Sequence, residues 1–231
     1  MAPRVVAAFD FDGTLTRHES LLPFLRRVAG RARVARALLA EGPRLAAVAA
    51  GRAGRDEAKV ALLRRTIAGF SMAELATLAG PYAEELATQR RRPDVVARAG
   101  WHRSQGHELV VVSASPRLYV EPAARALGFD AALATELEVD ADGRVTGGLA
   151  GANVRGPEKL HRLRAWLGSQ GDPGGTGTRE APDLILWAYG DSPGDRELLE
   201  AADHPVRVGW RRVPALGRTG PPEGRDPSRR A

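Results

Sequence analysis

Three short runs of apolar residues constrain the fold of this chain more than any other feature of its sequence. They cover residues 5–9, 109–112 and 184–189, and none of them contains a charged side chain. Strands that are apolar on both faces are typical of a parallel sheet covered by helices on both sides. Because predicted helices separate the runs, we predict an α/β fold with a Rossmann-like, doubly wound, mainly parallel sheet. Its first strand covers residues 4–9 and lies at the centre.

The first run leads directly into two carboxylates, Asp10 and Asp12. In extended backbone, residues i and i+2 point to the same face, so these two side chains are expected to lie side by side. Their repulsion is costly unless a cation or a shared proton relieves it. A Mg²⁺ site in which one carboxylate is also the nucleophile would do so. The alternative is a strand that merely ends in an Asp-rich turn.

The other two apolar runs also end in small or acidic polar residues. Residues 113–115 (Ser-Ala-Ser) follow the second run, and residues 190–195 (Gly-Asp-Ser-Pro-Gly-Asp) follow the third. In parallel α/β sheets, ligands bind outside the carboxyl ends of the strands. We therefore expect these residues to converge with Asp10 and Asp12 at one edge of the sheet.

Lysine is rare in this chain. Lys59 and Lys159 are its two lysines among 34 basic residues. Where arginine is used almost everywhere, a retained lysine suggests a position that needs a compact ammonium group. Lys159 also follows a Gly-Pro helix start, where a cation opposes the helix dipole. A functional role for Lys159 is one interpretation, and a solvated surface lysine is the other.

The acidic motif, Ser113, Lys159 and the 190–195 segment occur in the order of four motifs that resemble the haloacid dehalogenase superfamily of phosphatases. More narrowly, they resemble the branch that contains phosphoserine phosphatase. The resemblance covers about residues 5–210. It implies a Mg²⁺-dependent phosphatase that hydrolyses a phosphate monoester through an aspartyl-phosphate intermediate.

The resemblance also implies roles for the acidic residues. Asp10 would be the nucleophile, and Asp12 would be the general acid and base. The metal would be held by the Asp10 carboxylate, the Asp12 backbone carbonyl and Asp191. Asp195 would belong to the outer shell of the metal or orient Lys159, although it could also be a carboxylate at the start of a helix.

The phosphate site implied by the resemblance combines Ser113 and Lys159 with backbone N–H groups. These N–H groups belong to the turn of Gly13 and Thr14 and to the segment near Ala114. One position departs from the pattern of phosphoserine phosphatases, which have an asparagine where this chain has Gly194. This difference favours a substrate other than phosphoserine.

Residues 17–88 interrupt the sheet and resemble the small helical cap of the same branch. We predict helices at 21–39, 43–50, 56–68 and 72–88, the last with a capping box formed by Ser71 and Glu74. The predicted core comprises residues 1–16 and 89–216. In chain order, the remaining predicted elements are helix 93–105, strand 108–112, helix 117–127, β segment 133–139, hairpin partner 144–149, flexible loop 171–182, strand 184–189, helix 193–201 and disordered tail 217–231.

Substrate specificity is expected in the cap. Glu19 and Lys59 are the candidates for contacts with the non-reacting part of the substrate. Glu19 could equally be a carboxylate in the early turn of a helix, and Lys59, like Arg52 and Arg55, could be a solvated helix residue. The basic amphipathic stretch 21–33 could touch an anionic membrane that holds a phospholipid head group. Packing of the cap is the simpler explanation. The expected partner is therefore a small phosphate ester, with a phospholipid head group left open.

Composition limits the other classes of function. The net charge is +6 with an isoelectric point near 10.6, but the arginines are spread over the whole chain, so we expect no nucleic-acid partner. The chain has no cysteine, no apolar stretch long enough to span a membrane and no signal-peptide pattern, which together predict a cytoplasmic protein. Two alternatives remain: a phosphotransferase on the same scaffold, and an arginine-rich, non-enzymatic binding protein.

Overall fold

The computed structural model describes residues 3–51, 54–169, 184–209 and 211–213. Five parallel strands form the main sheet in the order β3-β2-β1-β6-β7, and β4 and β5 form a separate antiparallel hairpin. The strands are β1 (Arg4–Phe9), β2 (Glu108–Pro116), β3 (Ala131–Thr135), β4 (Leu137–Val139), β5 (Val145–Leu149), β6 (Leu184–Gly190) and β7 (His204–Arg207). The predicted fold class is confirmed. Arg52, the predicted loop 171–182 and the predicted tail 217–231 lie outside the described residues.

Helices cover both faces of the sheet and form the region that follows β1. They are α1 (Leu21–Ala29), α2 (Arg31–Ala40), α3 (Gly42–Ala49), α4 (Arg55–Thr66), α5 (Met72–Thr88), α6 (Pro93–Ser104), α7 (Arg117–Ala126), α8 (Pro157–Ser169) and α9 (Arg196–Glu200). None of the described helices is long and apolar enough to cross a membrane.

The alternation of side chains along each strand explains why both faces of the sheet are covered by helices. Ala7 and Phe9 of β1 pack in one apolar cluster with α6 and α7. Val6 and Ala8 pack in a second cluster with α8 and α9 on the opposite face. Because alternate residues of a strand point to opposite faces, an entirely apolar strand needs a helical layer on each side.

Strand β1 is central, as predicted. Ala8 is in register with Val110 of β2 on one side and with Ala188 of β6 on the other. The backbone N–H of Asp10 then donates to the Tyr189 carbonyl at 2.8 Å, which extends the ladder one residue beyond the strand. The acidic motif is therefore held at the middle of the carboxyl edge.

The cap helices share a third apolar cluster, which contains Leu25, Val34 and Leu63. Leu137 of β4 and Val145 of β5 belong to the same cluster, so the hairpin packs against the cap helices. The division into cap 17–88 and core 1–16 plus 89–216 stays a prediction. Helix α5 has the predicted bounds and the predicted capping box.

Several predicted elements were wrong in detail. The helix 21–39 is broken at Gly30, whose φ of 80° and ψ of 153° are not helical. The segment 133–139 is two strands, since β3 joins the main sheet and β4 pairs with β5. The helix 193–201 begins as a 3₁₀ turn at Pro193–Asp195 before α9. Strand β7 was missed because its four residues include a proline, which is tolerated on this edge strand.

The contact between the hairpin and α4 predicts a specific loss of stability. At Gly147 of β5, φ is +83°, and a Cβ atom there would lie 2.5 Å from the Cα of Arg64 in α4. Gly147→Ala should therefore add steric overlap, about 1–3 kcal/mol, to the cost of a left-handed backbone, about 1–2 kcal/mol. The measurement is the free energy of unfolding in urea.

Gly143→Ala in the hairpin turn is the matched control. Its φ is +71°, and a Cβ atom added there would meet nothing within 4 Å apart from its own chain neighbours. This variant should lose stability only through its backbone conformation. Equal losses for the two variants would contradict close packing of β5 against α4.

Candidate active site

Asp10 and Lys159 form a buried ion pair at the carboxyl edge of β1. The Lys159 Nζ donates to Asp10 Oδ1 at 2.5 Å and to Asp195 Oδ1 at 2.5 Å. All three side chains are buried, with Lys159 only 2% exposed. A buried ammonium group is tolerated when carboxylates accept its hydrogen bonds. Lys159 is therefore buried, so the interpretation as a solvated surface lysine is wrong, and its functional role stays a prediction.

The environment of Asp10 disfavours its negative charge. Burial raises the pKa of Asp10 to about 7, against the opposing effect of Lys159, and the nearby Asp195 carboxylate raises it further. Burial lowers the pKa of Lys159, but Asp10 and Asp195 outweigh that effect and raise it above its usual value. The ammonium group therefore stays charged while the carboxylates around it repel one another.

Asp195 lies near Asp10 and accepts three hydrogen bonds, from Ser192 and Lys159. Its Oδ2 accepts hydrogen bonds from the backbone N–H and the hydroxyl of Ser192, at 2.9 and 2.8 Å. Its Oδ1 accepts from Lys159. The carboxylate therefore caps the 3₁₀ turn and orients Lys159 at the same time, so both interpretations from the sequence describe real contacts.

Asp12 is held by a hydroxyl network that the sequence did not reveal. The Ser115 hydroxyl donates to Asp12 Oδ2. Ser20 Oγ lies 3.2 Å from Ser115 Oγ and 3.0 Å from the Tyr119 hydroxyl. Tyr82 completes the network by donating to the Ser20 carbonyl at 2.7 Å. Ser115 could have been found, because it lies two residues from Ser113, whereas Ser20 and the two tyrosines carry no such signal.

Burial raises the pKa of Asp12 to about 6, although hydrogen bonds from Ser115 and Ser20 oppose the rise. The Glu19 carboxylate at the mouth of the site raises it further. A carboxyl group with a pKa near neutrality can both give and accept a proton, which is what an acid–base catalyst requires.

Gly13 allows the acidic turn to approach Asp191. Its φ is 80°, and a Cβ atom at this position would overlap the Asp191 carboxylate. Thr14, which belongs to the same turn as Gly13, places its Oγ1 3.5 Å from Asp191 Oδ1. Glycine is therefore required at residue 13 both by the backbone conformation and by the neighbouring carboxylate.

Asp10, Asp191 and Asp195 could hold a metal ion. One carboxylate oxygen from each lies within 4.8 Å of the others. Burial, followed by the charge of Asp195, raises the pKa of Asp191, so a cation would relieve repulsion within this group. The donors are all oxygens, which fit Mg²⁺. Both carboxylate oxygens of Asp195 accept hydrogen bonds, from Lys159 and Ser192, whereas Lys159 contacts only Oδ1 of Asp10, so Asp10 and Asp191 are the side chains better placed to bind the ion.

Ser113 and Ala114 lie at the end of β2 and line the cavity next to Asp10. The Ser113 Oγ accepts the backbone N–H of Ser115 at 3.0 Å, so its hydroxyl proton is left to donate to an anion. The Ala114 carbonyl accepts a hydrogen bond from Lys59 of the cap at 2.6 Å. The predicted phosphate-binding segment is therefore also a point of contact between core and cap.

A cavity of about 220 Å³ lies between α4 and the carboxyl edge of the main sheet. Of the predicted site residues, those that line it are Asp10, Asp12, Glu19, Lys59, Ser113, Ala114 and Lys159. Gly13, Thr14, Asp191 and Asp195 do not line it. Arg55, considered beside Lys59, lines it too. The lining residues that were not predicted as site residues are Leu21, Asp56, Ser115, Asn153, Arg155, Ser192 and Gly194.

Lys59 joins the cap to the core. Besides its bond to Ala114, its Nζ donates to Asn153 Oδ1 at 2.7 Å, and Asn153 in turn donates to Asp56 of α4 at 2.6 Å. Burial lowers the pKa of Lys59 to about 8. Glu19 is exposed at the cavity mouth. The interpretation of Lys59 as a solvated helix residue is therefore wrong.

Comparisons with known proteins identify the family of this chain. The haloacid dehalogenase-like hydrolase family matches residues 7–200. Protein CicA of Caulobacter vibrioides is 41% identical over 201 residues, which cover 86% of this chain and 83% of CicA. A probable phosphatase of Mycobacterium tuberculosis is 28% identical over 205 residues, covering 87% of this chain and 67% of that protein.

A solved structure shows the same fold. Phosphoserine phosphatase, captured with an analogue of its phospho-aspartyl intermediate, is similar with a TM-score of 0.59 and 18% identity, over 87% of this chain and 84% of the other. These findings support a phosphatase and contradict the alternative of a non-enzymatic binding protein. The chain belongs to the haloacid dehalogenase-like hydrolases, as its four motifs predicted, and it has the fold of phosphoserine phosphatase.

Proposed function

We propose that this protein is a Mg²⁺-dependent phosphatase that hydrolyses a small phosphate monoester through an aspartyl-phosphate on Asp10. The observation that carries the proposal is the buried Asp10–Lys159–Asp195 arrangement, with Asp12 beside the same cavity. It would supply a nucleophile, a fixed cation and a proton carrier within one cavity.

In the first half of the reaction, an Asp10 carboxylate oxygen attacks phosphorus in line with the leaving oxygen. The new bond joins Asp10 to phosphorus, and the bond to the leaving oxygen breaks. Asp12 gives its proton to that oxygen, which leaves as an alcohol. In the second half, Asp12 takes a proton from water as the water oxygen attacks phosphorus, which releases inorganic phosphate and restores Asp10.

Fixed hydrogen-bond donors would stabilise the negative charge that develops on the phosphoryl oxygens. Lys159 supplies its ammonium group, and Ser113 supplies a hydroxyl. Backbone N–H groups near Gly13, Thr14 and Ala114 are proposed as further donors. Mg²⁺, held by Asp10, Asp191 and the Asp12 carbonyl, would neutralise the phosphoryl charge and orient the group for attack.

Specificity is proposed to come from the cap side of the cavity, through Glu19 and Lys59. A cavity of about 220 Å³ suits a small ester, and a lipid phosphate would present only its head group to it. A phosphotransferase would use the same covalent intermediate with an alcohol in place of water. A cytoplasmic location stays a prediction.

Metal binding should be measurable without turnover. Mg²⁺ at a hundred times its dissociation constant should stabilise the folded protein by about 2.7 kcal/mol, read as a rise in the thermal unfolding midpoint. Since burial raises the pKa of Asp10 to about 7, protons compete with the metal at lower pH, and the rise should be larger at pH 8 than at pH 5.5.

Asp191→Asn should remove this Mg²⁺-dependent rise, while Asp142→Asn in the exposed hairpin turn should keep it. In the wild type, EDTA should also stop hydrolysis and added Mg²⁺ should restore it. An equal response to Mg²⁺ in the wild type and Asp191→Asn would exclude Asp191 as a ligand.

Replacement of the nucleophile should abolish turnover. Asp10→Asn keeps the shape of the side chain but removes the attacking oxygen anion, so kcat should fall to less than about a hundredth of the wild-type value. Circular dichroism checks the fold, and Asp142→Asn serves again as the control. A variant that retained a larger fraction of the rate would rule out covalent catalysis by Asp10.

The role of Asp12 can be tested by comparing substrates with different leaving groups. Asp12→Asn should slow the first half-reaction of alkyl phosphates by roughly 10²–10⁴-fold. It should slow that of p-nitrophenyl phosphate much less, because p-nitrophenolate leaves without a proton. Rapid-quench measurement of the first half-reaction separates this effect from water activation. The same loss for both esters would argue against Asp12 as the general acid.

A further inference from the structure

Arg155 lies beside Gly194 in the wall of the cavity. A Cβ atom at Gly194 would lie 3.2 Å from Arg155 Nε and 3.3 Å from Arg155 Cγ, so the arginine occupies space that a side chain at residue 194 would need. The two loops are joined, since the Gly156 N–H donates to the Gly194 carbonyl at 2.9 Å. Gly194 does not have a positive φ. Gly194 therefore leaves room for Arg155 and for the Ser192 hydroxyl, which a Cβ atom would meet at 3.3 Å, and its backbone conformation does not require glycine.

The charge of Arg155 is not neutralised by the described part of the chain. No ion pair found there includes Arg155, although other arginines are paired, as Arg162 is with Glu158. Lys159, the cation next to Asp10, already contacts two carboxylates. Arg155 is half-buried and lines the cavity. Its guanidinium group therefore offers unused donors to whatever enters.

Charge balance indicates which group these donors bind. Asp10, Asp191 and Asp195 lie close together, and the Lys159 ammonium group contacts two of them, so even a divalent cation would leave little positive charge for an incoming phosphate dianion. The planar fork of arginine matches two phosphate oxygens. Arg55 also lines the cavity, but it is exposed and belongs to the cap.

We propose that Arg155, placed by Gly194, binds the phosphoryl group of the substrate and the inorganic phosphate product. This rests on the proposed phosphatase function and adds a phosphate-binding residue to that site. Arg155 then sets affinity for the phosphoryl group itself and not for the leaving group. Inorganic phosphate should consequently be a competitive inhibitor, and its affinity should depend on the Arg155 side chain.

The direct test measures binding of inorganic phosphate by calorimetry in the presence of Mg²⁺. Arg155→Ala should weaken phosphate binding about tenfold or more, because a charge-assisted contact is lost. Arg155→Lys should recover part of the affinity. Arg164→Ala removes the same charge from the exposed surface of α8, outside the cavity, and should bind phosphate normally. Circular dichroism and thermal unfolding of each variant check the fold.

A second variant tests the placement by Gly194. Gly194→Val adds an apolar side chain where Arg155 now lies, so it should weaken phosphate binding in the wild-type background. In the Arg155→Ala background the same substitution should cause little further loss, because the side chain that it displaces is gone. Full additivity of the two losses would overturn this placement, since Gly194→Val would then act through Ser192 or Asp195.

Kinetics distinguish this proposal from the leaving-group alternative. With p-nitrophenyl phosphate, which carries no second anion, Arg155→Ala should raise KM and the inhibition constant of phosphate by the same factor. Unchanged phosphate affinity, or a loss restricted to esters with an additional carboxylate, would overturn the proposal. Phosphate binding that depends on Arg155 in a protein unable to hydrolyse any ester would contradict the phosphatase function and leave the Arg155 site standing.

Discussion

The buried ammonium group of Lys159 is the interaction on which the rest of the site depends. It lies between Asp10, which follows β1, and Asp195, which lies in the turn after β6. Removing the lysine would leave two buried carboxylates without this partner, at a cost of about 3–5 kcal/mol for a broken buried pair. One side chain from α8 therefore joins Asp10, the proposed nucleophile after β1, to the acidic loop after β6.

Around this ion pair, the two carboxylates of the acidic motif have different surroundings. Asp10 faces the ammonium group and the other carboxylates, whereas Asp12 faces hydroxyl groups of Ser20 and Ser115. Both have raised pKa values because they are buried. The difference in their partners suits one for attack on phosphorus and the other for proton transfer. Tyr82 of α5 and Tyr119 of α7 are hydrogen-bonded to Ser20, so the hydroxyl network beside Asp12 depends on the packing of these two helices.

The sequence predicted the three central strands of the sheet and its carboxyl edge, because uninterrupted apolar strands and the residues that follow them are local patterns, but it missed β7 and merged β3 with β4. Asp10, Asp12 and Ser113 could be placed together for that reason, and Lys159 through the family resemblance of the four motifs. Ser20, Asn153 and Arg155 could not, since their roles depend on contacts with residues far away in the chain. Gly194 shows the limit clearly: the sequence marked it as a departure from a family pattern, and only the structure shows which side chain fills the space.

The hairpin of β4 and β5 has a consequence for how the chain folds. The apolar cluster of the cap contains Leu25 and Leu63 from the helical segment, but also Leu137 and Val145 from a part of the chain that emerges much later during synthesis. The helices after β1 therefore cannot complete their packing while they are the newest part of a growing chain. They reach their final structure only after long-range contacts with the hairpin form, and folding is therefore slower than for an independent helical bundle. A fragment limited to the helical segment would expose an unfilled apolar face.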